Sequence, residues 1–320
     1  MTNIRKCAII GCGLVGATCA HSLTQSEIFS ELVLIDQNRN KAEGDAMDLN
    51  DALPFLSPMR IYAGDWCDLA DSSVIIIAAG ANQKSGETRL DLVKKNTEMM
   101  RSVIKQIVKY NAEAILLVVT NPVDILTYVA LKLSGFPASR VIGSGTVLDT
   151  ARLKQLVGKR LRVDPRNVHT FVIGEHGDSE LAVWSSANVS GIDLDEFCTL
   201  CGNCGDMECL YRIFEDVRDS AYKIISAKGA TYYGIAEAVR HICETIVKGG
   251  DTIMPVSTLL NGQYGLDGLC LGIPSVVGRD GIKQTFEIPL DESEAKRLRE
   301  SANTIKSILS SLNIEKSPVF

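Results

Sequence analysis

The sequence predicts an α/β fold: a doubly wound parallel sheet in the N-terminal half, followed by an α+β region. Three observations carry this. Short, uniformly apolar runs recur through the first half. Stretches long enough for crossover helices separate them. Beyond about residue 143 the pattern changes to helical periodicity and Gly-rich short apolar pieces.

The first apolar run is Lys6-Cys7-Ala8-Ile9-Ile10, ending at Gly11. Leu32–Ile35, Val74–Ala79, Ile115–Val119 and Arg140–Gly143 follow. Strands this apolar on both sides are expected inside a parallel sheet covered by helices on each face. The stretches 15–28 and 92–110 read as two of those helices. In the second, Val93, Thr97, Met100, Ile104, Ile107 and Val108 share one face. In the second half, 206–227 and 229–248 read as helices, the latter with Ile235, Val239, Ile242 and Ile246 at helical spacing. Residues 257–287, rich in Gly, suggest antiparallel strands. Asp291 to Leu312 reads as an amphipathic closing helix, with Ala295, Leu298, Ala302, Ile305 and Leu309 on its apolar face. The expected division is therefore residues 1–143 and 144–320. No low-complexity linker separates them, so the two parts should pack tightly.

Composition excludes several classes. The chain has 320 residues, 46% hydrophobic and 22% charged, enough for a sizeable core. A net charge of -6 gives no basic surface for nucleic acid. No apolar run approaches the roughly 20 residues that span a bilayer. The N-terminus lacks a signal-peptide layout, so a cytoplasmic location is expected. Of ten cysteines, Cys7, Cys12, Cys19, Cys67, Cys243 and Cys270 are scattered among apolar residues and are expected to be buried. Cys198, Cys201, Cys204 and Cys209 cluster at a spacing that suits zinc or an iron–sulfur centre. Leu210 rather than proline follows the last, and no histidine lies nearby. The expectation is no metal, and surface cysteines.

Gly11-Cys12-Gly13-Leu14-Val15-Gly16 lies between the first strand and the first helix. The glycines permit a tight turn, close approach of a pyrophosphate and close helix packing. The helix N-terminus offers free N–H groups to the phosphates. Asp36 ends the second strand, placed to accept from adenosine ribose hydroxyls and to repel a 2′-phosphate. Strand, glycine loop, helix and acid in this order form a Rossmann dinucleotide site, with NAD favoured over NADP.

The apolar run Phe171-Val172-Ile173 leads into Gly174-Glu175-His176-Gly177-Asp178-Ser179. The chain has only four histidines, and this one sits where a proton exchanger near neutral pH is useful. Asp149 and Arg152 are three apart, on one helical face. Gly80 to Arg89 is polar and follows the third strand, as a lid would. Thr120-Asn121-Pro122-Val123-Asp124 follows the fourth strand. The Asp149–Arg152 segment and these last two lie at C-terminal strand ends or just beyond, where doubly wound sheets bind ligands.

With GCGLVG, LIDQN, AGANQKSGETRLDLV, VTNPVD, GSGTVLDTARL, IGEHGDSE and KGATYYGIA in this order, the chain resembles the lactate/malate dehydrogenase family from Lys6 to about Leu312. The resemblance is to its bacterial L-lactate branch. It implies that His176 is the proton donor and acceptor, that Asp149 orients and charges the imidazole, and that Arg152 clamps the substrate carboxylate. It implies that Arg89 polarises the carbonyl from a closing loop. Asn121 would bond near substrate and nicotinamide, Thr231 would line the substrate side-chain end, and Ile235 and Ser144 would contact the nicotinamide. Gln83 stands where malate dehydrogenases of the family place an arginine for the second carboxylate. A neutral residue there favours pyruvate and L-lactate, because a dicarboxylate would bury an unpaired charge. Lys154 and His169 match the family's fructose 1,6-bisphosphate activator site, with lysine replacing arginine. A homotetramer is implied. The rivals are a malate dehydrogenase, opposed by Gln83, and a non-catalytic NAD-binding regulator, opposed by His176, Asp149, Arg152 and Arg89 together.

Overall fold

The computed structural model describes residues 2–81, 89–202, 207–312 and 314, with the backbone alone at 89, 207–209 and 211. The first half runs β1 (Asn3–Ile10), α1 (Leu14–Ser26), β2 (Glu31–Ile35), α2 (Arg39–Asp51), β3 (Arg60–Ala63), β4 (Ser72–Ile77), α3 (Arg89–Tyr110), β5 (Ile115–Val118), α4 (Val123–Ser134) and β6 (Val141–Gly143). Then come α5 (Val147–Leu161), β7 (Val168–His169), β8 (Val172–Ile173), β9 (Leu181–Ala182), β10 (Asn188–Val189), β11 (Ile192–Asp193), α6 (Leu194–Cys201), α7 (Met207–Lys228) and α8 (Tyr233–Lys248). The chain ends with β12 (Thr252–Asn261), β13 (Asp267–Gly278), β14 (Gly281–Thr285) and α9 (Glu292–Ser310).

The main sheet has the order β14-β13-β12-β6-β5-β4-β1-β2-β3. From β3 to β6 every pairing is parallel. The chain reverses direction across the sheet between β1 and β4, and a crevice opens there at the strand ends. β12 joins β6 antiparallel at Ser257 opposite Gly143, and β13 and β14 extend the sheet. The sheet therefore does not stop at residue 143. It carries the antiparallel strands of the second half on its own edge, which explains the absence of a linker.

The apolar strands are buried on both faces, as their composition requires. Ala8, Ile10, Ile75 and Ile77 face one core, covered by α3, α4 and α9. Cys7, Ile9, Val74 and Ile76 face the other, covered by α1, α2 and α8. A third core joins α5, α6 and α7 to the short strands β7 to β9. Each fully buried Ile or Leu contributes roughly 1.5–3 kcal/mol relative to exposure.

Several elements carried no clear periodicity. In α4 only Tyr128 and Lys132 escape full burial, so it has no polar stripe to mark it as a helix. In α2 the opposite holds: only Ala42, Ala46 and Leu49 are buried in a polar sequence. Two cysteine expectations are corrected. Cys67 is exposed, in the short turn after β3. Cys198 is buried in the third core, because α6 turns Leu194 and Cys198 inward together. Cys201 is partly buried. Cys204 lies outside the described residues, as does the side chain of Cys209. No helix among the described residues is long and apolar enough to cross a membrane.

Candidate active site

The crevice beside β1 is a backbone cradle. Gly11 has φ +98°, and a Cβ there would fall 2.4 Å from the Ala79 amide nitrogen. A Cβ on Gly16 would fall 1.8 Å from the Gly11 carbonyl oxygen, so only glycine lets α1 start so close to the loop. Gly13, by contrast, faces open space. It caps α1 with no side-chain hydrogen bond, leaving the helix N–H groups free for a phosphate. Leu14 is exposed, and Val15 packs at the margin of the second core. Asp36 ties the cradle together: its Oδ2 accepts from the Cys12 N–H at 2.7 Å and its Oδ1 from the Asn38 N–H at 2.8 Å. Each oxygen keeps a lone pair for a ribose hydroxyl. Free amides, an open glycine and an acid at this spacing fit a dinucleotide. Ile235, on α8, packs into the same core as Val15, and Ser144 is buried with its N–H bonded to the Val118 carbonyl at 2.9 Å.

A second cavity, of about 280 Å³, opens where α3, the turn after β5, α5, the β8–β9 loop and α7 meet. Asn121, Asp149, Arg152, His176 and Glu180 are in its wall. His176 Nδ1 lies 2.6 Å from Asp149 Oδ2, and Arg152 donates to the other oxygen, Asp149 Oδ1, at 2.9 Å. The Asp149 side chain is 3% exposed, whereas that of His176 is 24% exposed. Nδ1 is committed to Asp149, so Nε2 is the ring nitrogen left for a ligand. Burial opposes charge on the imidazole, but the Asp149 charge and hydrogen bond, with Glu180 and Asp124 behind them, outweigh it and lift the pKa to about 9. Burial likewise favours neutral Asp149, yet His176 and Arg152 together hold it below the usual carboxylate range. Glu180, 8% exposed, is pushed up to about 9 by burial and then by Asp149.

The catalytic-loop backbone is held from two sides by residues that carried no role in the sequence. Asp124, on α4, accepts from the His176 N–H at 2.8 Å and from the Ser257 hydroxyl at 2.6 Å. Burial pushes Asp124 up to about 6, against the pull of those two hydrogen bonds. Ser301, on α9, accepts from the Glu175 N–H at 2.8 Å, and Ser179 bonds to the Glu175 carboxylate. Asn96, on α3, donates to the Asn121 carbonyl at 2.9 Å and accepts from the Ala81 N–H at 2.9 Å, joining two ligand-facing segments. Asp124 was visible only as the end of a segment at a strand terminus. Ser257, Ser301 and Asn96 gave no local signal, since a lone Ser or Asn is ordinary anywhere.

The remaining sequence-predicted residues are placed as follows. Gln83 lies outside the described residues. Arg89 opens α3, one turn before Leu92 and Val93, which line the cavity. Thr231 is half-buried just before α8 and is not among the described residues lining the cavity. Lys154 is half-buried on α5, and burial lowers its pKa; His169 is exposed on β7.

Comparison with known proteins agrees with this arrangement. The lactate/malate dehydrogenase NAD binding domain matches residues 5–143, and the alpha/beta C-terminal domain of the same family matches residues 146–315. An L-lactate dehydrogenase of Acetivibrio thermocellus is 53% identical, over 97% of this chain and 98% of that protein. One from a Thermoanaerobacter species is 52% identical, over 97% of this chain and all of that protein. Among solved structures, a lactate dehydrogenase from a Medee basin deep-sea metagenome library superposes with TM-score 0.94 at 44% identity, over 97% of this chain and 99% of that one. The minor L-lactate dehydrogenase of Enterococcus mundtii, in a ligand-bound form, gives TM-score 0.94 at 38% identity, over the same shares. The chain belongs to the lactate/malate dehydrogenase family.

Proposed function

We propose that this protein is an NAD-dependent oxidoreductase that interconverts pyruvate and L-lactate. The observation that carries the chemistry is the His176–Asp149 pair at 2.6 Å, with Arg152 on the same carboxylate, in the wall of one cavity. The names of the relatives support the substrate.

When bound in the cradle, NADH supplies the hydride that reduces the carbonyl carbon. Arg152 holds the substrate carboxylate with two parallel N–H bonds, a geometry that lysine lacks. His176, protonated through Asp149, gives its Nε2 proton to the carbonyl oxygen, and takes it back in the reverse direction. Asp149 keeps the ring in position and balances its charge. Arg89 polarises the carbonyl as negative charge develops on it. Asn121 bonds near the substrate and nicotinamide. Ser144 and Ile235 contact the nicotinamide, and Thr231 lines the methyl end of the substrate. Gly11, Gly13, Leu14, Val15, Gly16 and Asp36 hold the adenosine diphosphate half. Residues 1–143 serve as the NAD-binding domain and 144–320 as the substrate domain.

Gln83 selects against oxaloacetate, whose second carboxylate would meet a neutral side chain at that position. The test is NADH oxidation with pyruvate and with oxaloacetate. Pyruvate should turn over faster, and Gln83→Arg should raise oxaloacetate turnover relative to pyruvate. Faster oxaloacetate turnover by the unaltered protein would make it a malate dehydrogenase instead.

The protein acts as a cytoplasmic homotetramer in fermentative glycolysis. Lys154 and His169 bind fructose 1,6-bisphosphate as an activator. Pyruvate saturation curves with and without the sugar bisphosphate check this; identical half-saturation and cooperativity would end the idea.

A further inference from the structure

We infer that Glu180 is a second protonated acid of the site, whose carboxyl must be neutral, alongside a charged His176, for pyruvate to bind productively. The inference rests on the pyruvate reading above.

Glu180 is placed by the catalytic loop itself. Its N–H bonds to the Gly177 carbonyl at 3.2 Å, a turn that brings its side chain back to the cavity wall, where the Gly177 N–H meets the carboxyl. A carboxyl oxygen of Glu180, one of Asp149 and a ring nitrogen of His176 all lie within 4.8 Å of one another. On the cavity side Arg152 is already bonded to Asp149, and Arg218 also lines the wall. On the outer side Glu180 lines a neighbouring cavity with Asp178, with Glu215 and Arg218 of α7, and with Arg297 and Glu300 of α9. Asp124 adds a further carboxyl beneath His176. No side-chain ion pair joins Glu180 to any of these cations among the described residues. Burial, with the Asp149 charge beside it, outweighs the pull of His176 and Arg152, so the carboxyl keeps its proton.

The charge count gives that proton a role. With Glu180 neutral, the described wall holds Asp149 and Asp178 negative and Arg152, Arg218 and His176 positive. The net single positive charge matches a monocarboxylate. Ionised Glu180 cancels it and sets a second carboxylate facing the incoming one in a poorly solvated space. Glu180 transfers nothing to substrate. It acts through the charge of the pocket. Both groups are raised to about 9, and loss of either proton tightens the hold on the other, so the pair titrates in two macroscopic steps.

The test is the pH dependence of kcat/KM for pyruvate from about pH 6 to about pH 10.5, in the unaltered protein, Glu180→Gln and Glu180→Asp. In the unaltered protein the alkaline limb should steepen toward about a hundredfold fall per pH unit, and in Glu180→Gln it should relax to about tenfold per unit. Glu180→Asp should keep the steep limb. NADH affinity by fluorescence, measured at each pH, separates loss of the cradle from loss of the acid. A tenfold limb in the unaltered protein overturns the inference without any variant, as does a limb equally steep in Glu180→Gln. Absence of pyruvate turnover at every pH would instead sink the reading of the function.

Discussion

The NAD cradle and the acid–base cavity lie at the same end of one sheet but are built in opposite ways. The cradle uses backbone from one continuous stretch, Gly11 to Gly16, plus Asp36 at the end of the neighbouring strand. Its demands are steric, and glycine alone meets them at Gly11 and Gly16. The cavity uses side chains from α3, the Asn121 turn, α5, the β8–β9 loop and α7. Its demands are electrostatic: one buried carboxylate must serve an imidazolium and a guanidinium together. A site made of local backbone tolerates distant change and fails to local change. A site made of converging charges is exposed to both.

Breaking the cavity at its centre should cost most. His176→Ala removes the proton donor and should lower kcat/KM for pyruvate about a thousandfold, while NADH affinity by fluorescence stays within a few-fold. Next comes Arg152→Lys, which keeps the charge and loses the fork. We expect KM for pyruvate to rise about a hundredfold. Equal losses in pyruvate and NADH binding would mean that cavity and cradle are not separable.

Breaking the cradle should show the reverse split. Gly16→Ala places a Cβ against the Gly11 carbonyl and should weaken NADH binding about a hundredfold or cost about 1–3 kcal/mol of stability. Unchanged NADH affinity and melting temperature would mean that α1 does not need its close approach. Asp124→Asn gives the smaller effect of a support: about tenfold in kcat, read with KM for pyruvate little changed.

The pH dependence sharpens the contrast, because the cavity holds an imidazole raised well into the alkaline range. His176 is raised from its ordinary value to about 9. It is therefore charged in the free protein below about pH 9, so pyruvate reduction should hold from neutral pH to that point and then fall. Lactate oxidation needs the neutral ring and should rise over the same range. The sign for stability follows. A histidine raised on folding contributes stability that is complete below its unfolded pKa of about 6.5 and is lost as pH rises through about 9. His176→Ala should flatten that part of the stability curve, as chemical denaturation across pH would reveal.

The contrast also accounts for what could be read in advance. The cradle was legible whole, because strand, glycines, helix and acid follow one another at fixed spacing. The apolar strands of the parallel sheet were legible because burial on both faces leaves no polar alternation. The fully buried α4 and the polar α2 were not, since a helix declares itself through a stripe. Asp149 and Arg152 were legible as a pair at helical spacing, and their partnership with His176 only as an implication of family resemblance. The buried environment of Cys198 and the exposure of Cys67 escaped, because short apolar neighbours say little about which way a turn faces.

Periodicity, glycine placement and seven ordered motifs in the sequence by itself determined the fold class, the dinucleotide loop and the roster of candidate chemical groups. These features need only neighbours along the chain. The tertiary structure alone decided that Asp149 bridges His176 and Arg152, that Asp124 and Ser301 hold the catalytic loop from two different helices, and that Glu180 turns back into the wall of the same pocket. The reason is physical. Charge, burial and hydrogen-bond distance depend on what lies across space, and Ser301 is 126 residues from the amide it holds.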